Sequence, residues 1–135
     1  MQVFKLLQNG YNKEQAITID IKLMKIDLPL PQDKKLTVIF RVEPGCLGPE
    51  GPSHVNGFCE YAIKQLEDID SDMVHWDIMP RNDKSEPEMQ YMMISKNLVR
   101  DKAEKFLQLF DKNIDDFENT FHDNLAQLID EYLGH

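Results

Sequence analysis

Residues 35–62, KLTVIFRVEPGCLGPEGPSHVNGFCEYA, decide how this chain is built. Leu36–Val42 is a nearly continuous apolar run rich in β-branched residues, the pattern of a central strand buried on both faces. Gly45, Gly48 and Gly51, interleaved with Pro44, Pro49 and Pro52, then punctuate a loop. Beyond it Ser53 is a suitable N-cap, and Val55, Phe58, Cys59, Ala62, Leu66 and Ile69 recur at helical spacing. The stretch therefore reads as strand, loop and amphipathic helix, with one apolar stripe turned towards a sheet.

Towards the N-terminus, Ile17, Ile19, Ile21 and Leu23 alternate with Thr18, Asp20 and Lys22. This predicts a strand over 16–26, although Ile17, Ile21, Met24 and Leu28 also fit a helical stripe that Asn12 and Gln15 would cap. Towards the C-terminus, Val74, Trp76 and Ile78 alternate with His75 and Asp77, and residues 88–94 alternate again after the turn-rich PRNDKSEP. Two such runs predict a hairpin. The last forty residues predict two helices, one lined by Leu98, Ala103, Phe106, Leu107 and Phe110. Ile114, Phe117, Phe121, Leu125, Leu128 and Tyr132 line the other, and Gly134 suits its end. The expected architecture is a single α+β domain over 1–135, in two layers. An antiparallel sheet of about four strands, in the order ββαββαα, carries helices on one face.

At 135 residues the chain is long enough to bury a core without metals or disulfides. Its two cysteines are too few for a disulfide scaffold, no apolar run approaches a membrane span, and the start lacks an export signal. A reducing cytoplasmic setting is expected. The net charge of −9 is unevenly spread: residues 60–88 hold nine acidic and three basic groups, and residues 111–135 hold seven and one. With no stripe of Lys and Arg, direct nucleic-acid binding is not expected. The acidic segments suit either a solvated surface or a basic partner.

Thiolate and imidazole suit zinc or iron, so Cys46, His54 and Cys59 are metal candidates, but their C-x7-H-x4-C spacing matches no compact zinc motif. Cys59 also lies on the helix's apolar stripe, where a thiol packs as a small hydrophobe. Cys46, ahead of a helix N-terminus, is a candidate nucleophile with His54 beside it. The glycines do not make a phosphate cradle, because three prolines remove donors and Glu50 repels an anion. On the polar sheet face His75, Asp77, Glu88 and Gln90 point outward, joined by Thr37 or Arg41 according to register. There His75 and Glu88 are candidates for acid–base chemistry.

No cofactor motif is complete, and none is expected. The residues favour a non-enzymatic interaction or regulatory protein with a protein partner, forming a homodimer through part of the long C-terminal stripe. Two alternatives remain open. One is a small enzyme or metal-binding protein centred on Cys46 and His54. The other is an acidic nucleic-acid mimic that occupies a basic protein.

Overall fold

A computed structural model describes residues 7, 8, 10, 12–17 and 28–134. The strand expected over 16–26 lies largely outside them. Ala16 and Ile17, the two of its residues that are described, are helical with residues 13–15, after a reciprocal capping box between Asn12 and Gln15.

The elements are β1 (Leu36–Val42), α1 (Gly51–Leu66), β2 (Val74–Pro80), β3 (Met89–Met93), β4 (Lys96–Leu98), α2 (Arg100–Gln108) and α3 (Ile114–Leu133). The four strands form one sheet in the order β2-β1-β3-β4. The expected α+β class therefore holds, but the sheet is mixed rather than antiparallel. β1 and β2 are parallel, whereas β1 with β3 and β3 with β4 are antiparallel. The reason is α1: a long helix between two strands carries the chain back to the starting edge, so the next strand runs in the same direction.

The expected hairpin of 73–78 with 88–94 does not form, because β1 lies between β2 and β3. Residues 81–88 instead pass over the end of β1 and are clamped there. The Arg81 N–H donates to Val42 O at 2.8 Å, and the Arg41 N–H donates to Glu88 O at 2.7 Å. The buried Arg41 side chain donates from Nη1 to Pro87 O at 2.8 Å. Its Nε is 3.1 Å from the Glu86 carboxylate but makes no aligned hydrogen bond. Arg81 donates to the carbonyls of Lys84 and Glu86. The true hairpin joins β3 to β4 through Ile94-Ser95, both at positive φ (51° and 61°), as a type I′ turn requires. Leu98, expected on a helix, is a buried residue of β4.

The helices cover one sheet face. Leu36, Val38, Phe40, Val42, Val74, Trp76 and Ile78 meet Phe58, Ala62, Leu66, Phe106, Phe117 and Phe121 in a single core. β1 is central and buried on both faces, as its composition predicts. The α3 stripe expected to serve a second copy is largely taken up by this core, where Ile114, Phe117, Phe121, Leu125 and Leu128 are all buried. α1 starts two residues before the expected cap: Glu50 precedes it, and the Ser53 hydroxyl donates to Glu50 O at 2.7 Å. Gly134 ends α3 in the left-handed conformation at φ 79°. No helix among the described residues is long and apolar enough to cross a membrane.

Candidate functional site

α1 and α3 pack so that the N-terminus of α1 meets the C-terminus of α3. At that end a 3-10 turn, Pro44–Leu47, carries Cys46. Leu47 is buried and anchors the turn, while Cys46 is exposed. Gly51 lets α1 start hard against this turn, since a Cβ there would sit 1.8 Å from Pro44 O. The result is a cavity of about 490 Å³ lined by Cys46, Glu50, His54, Ile129, Asp130 and Leu133. The His54 ring packs edge-on to Tyr132 with centroids 6.4 Å apart, and Tyr132 also meets Phe58 and Tyr61.

The structure thus brings Cys46 and His54 to one cavity without a hydrogen bond between them. Cys59 is elsewhere: it is 4% exposed in the core, and burial pushes its thiol up to about 11. Among the described residues no three His, Cys, Asp or Glu side chains come together as a metal site. His75 and Glu88 are both exposed on the sheet face away from the helices, with Thr37, Asp77 and Gln90. They are not neighbours. His75 is in register with Thr37 and Glu88 bonds to Arg41, on opposite sides of β1. That separates them by roughly 13 Å along the strands and 10 Å across.

At the other end of the helix pair, the C-terminus of α1 meets the N-terminus of α3. A cleft of about 430 Å³ opens there, and sequence reasoning did not find it. Its floor includes Trp76, which stacks on Phe117 and Phe121 with centroids 5.5 and 5.2 Å apart. The indole Nε1–H donates to Ile69 O at 2.8 Å and fixes the ring. Asp70, Asp111 and Asp116 line the cleft with Lys112, whose ammonium is 2.9 Å from the Asp70 carboxylate. Asn113 caps α3, its side chain accepting from the Asp116 N–H at 3.0 Å. Among the described residues neither Asp111 nor Asp116 makes an ion pair, which leaves the rim net acidic. The signals for this cleft were the two acidic segments and Trp76 with its alternating neighbours. Nothing local says that 66–70 meets 111–124.

The strongest remaining electrostatic network is structural. The Tyr91 hydroxyl donates to the Glu118 carboxylate, which Arg100 also binds at 3.0 Å, and Arg100 reaches Asp115 at 2.6 Å. Burial, followed by the bond to Glu118, raises the Tyr91 pKa, and the two carboxylates raise that of Arg100. The network ties β3 and the start of α2 to α3. Comparison with models of known protein families, with curated proteins and with solved structures finds no match to this chain.

Proposed function

We propose that the protein is a non-enzymatic interaction module that engages a basic protein partner through its acidic end. One observation carries this reading: the two acidic segments adjoin, with Asp70 paired to Lys112 at 2.9 Å and one cleft lined from both sides. The loop after α1 brings Asp70 to the same cleft as Asp111, ahead of α3, and Asp116, in its first turn. Like charges at this density raise the local attraction for cations and speed encounter with a basic surface. The free thiols of Cys46 and Cys59 support a reducing, cytoplasmic setting. With the α3 stripe largely buried in the core, pairing of two copies would use another surface, and light scattering across a wide concentration range reads it.

Zero-length carbodiimide crosslinking in extract, mapped peptide by peptide, tests the main reading. Crosslinks are expected from carboxylates of 67–72 and 111–116 to lysines of one other protein, and are lost in about 0.5 M salt. Crosslinks spread evenly over all exposed carboxylates, or none at all, overturn it. Competition by duplex DNA for that partner would identify the nucleic-acid mimic within the same reading.

A second reading rests on Cys46 and His54 sharing a cavity with Glu50 and Asp130. It makes Cys46 a nucleophile and His54 its base. Alkylation of Cys46 much faster than that of a free thiol, and slowed by His54→Gln, supports it; slow alkylation in both forms removes it.

A further inference from the structure

We propose that the cleft between the end of α1 and the start of α3 receives a basic side chain, Arg or Lys, from the protein partner; this rests on the interaction reading above. Two independent features meet there. The floor holds Trp76, Phe117 and Phe121, and an apolar floor suits the methylene stem of a long basic side chain. The rim carries Asp70, Asp111 and Asp116 against Lys112 alone, so the groove keeps negative charge where the head of that side chain would come to rest.

Asp70 is already engaged by Lys112 at 2.9 Å, which leaves the Asp111 and Asp116 carboxylates as the two acceptors for an incoming cation. A guanidinium brings five donors in a fixed fork to such acceptors, whereas an ammonium meets them as a point charge. A volume of about 430 Å³ holds one such side chain with its hydration and is too small for a folded element. An anionic ligand would face the same carboxylates, and a purely apolar one would leave them without partners. Charge thus selects the occupant.

The chain has one tryptophan, and it lines the cleft, so Trp76 emission reports occupancy directly. The probe is a short Gly-Ser peptide carrying three arginines, titrated into the full chain beside its glutamine counterpart. A saturable change in emission with the arginine peptide alone is expected. Asp111→Asn combined with Asp116→Asn should weaken it about tenfold. Glu60→Gln combined with Glu131→Gln removes the same charge from α1 and from the far end of α3, outside the cleft lining, and should cost less than about twofold. Far-UV circular dichroism checks that both double variants fold. Equal losses in the two variants, or binding without an emission change, would mean diffuse attraction; the cleft proposal then fails while the interaction reading stands. No binding of the peptide overturns the proposal, and no localised crosslinks besides overturns the reading beneath it.

Discussion

The two ends of the antiparallel pair α1 and α3 are built on opposite principles. At the Cys46 end the loop is drawn tight by local chemistry. A 3-10 turn, a buried Leu47 and the contact of Gly51 with Pro44 O hold it, and all come from residues 44–51. At the cleft end nothing is local, because Trp76 of the sheet, Ile69 of one loop and Phe117 of α3 converge from three parts of the chain. The first end displays reactive residue types without the mutual hydrogen bonds that chemistry needs. The second displays few reactive types, but it has a shaped floor and charge left over. A site can therefore be conspicuous in sequence and loose in space, or the reverse.

Substitutions that break the packing at each end put this difference on a scale. Trp76→Ala removes a ring stacked on two phenylalanines and frees Ile69 O, which should cost about 3–5 kcal/mol in chemical denaturation. Gly51→Ala drives a Cβ into backbone that cannot swing aside, and should cost about 2–3 kcal/mol. A larger loss at Gly51 than at Trp76 would mean that the Cys46 end, not the aromatic floor, anchors the helix pair.

Raising the pH probes the space between the ends, where α1 buries Cys59. The thiol ordinarily ionises near 9.0, and burial pushes it up to about 11 in the folded chain. The folded state thus holds this proton more tightly than the unfolded state does. Stability is then flat below pH 9 and declines as pH rises towards 11, by about 2 kcal/mol. Tyr91, raised above its ordinary 10.0, extends the decline at higher pH. Denaturation midpoints collected from pH 7 to 11 measure the slope. Cys59→Ala should flatten its first part, and an unchanged slope would locate the alkaline loss elsewhere.

The same contrast explains what the sequence revealed. Leu36–Val42 and the stripes of α1 and α3 were readable because burial on one face leaves a period in the residues that make it. Strand partners leave no such trace. Val74–Ile78 alternates equally well beside β1 or beside β3, so the parallel pairing had to come from the length of α1 and the clamp of 81–88 by Arg41 and Arg81. β4 was missed because three residues are too few to show a period, and Leu98 fits a helical stripe as well as a strand end. Cys46 and His54 were found together because eight positions of one loop and helix separate them. The cleft was not, because Asp70 and Lys112 are forty-two positions apart and only packing brings them to 2.9 Å.

The smallest expected effect bears most directly on whether the cleft end serves binding or stability. Asp111 follows α2 in the left-handed conformation, at φ 58°. Its N–H donates to Gln108 O and the next N–H to Leu107 O, both at 3.1 Å, the Schellman pattern that favours glycine. Asp111→Gly relieves the Cβ contact that this φ imposes, and should stabilise the fold by about 0.5–1 kcal/mol in thermal or chemical denaturation. The same change deletes a rim carboxylate, so affinity for the arginine peptide should fall while stability rises. Opposite signs in one variant separate the roles, because a residue kept for the fold alone would not lower stability by being an aspartate. Asp111→Asn, which tolerates the left-handed region, should lose affinity with little change in stability. If Asp111→Gly instead destabilises the chain, the carboxylate is holding the turn, and the argument for the rim loses one of its two acceptors.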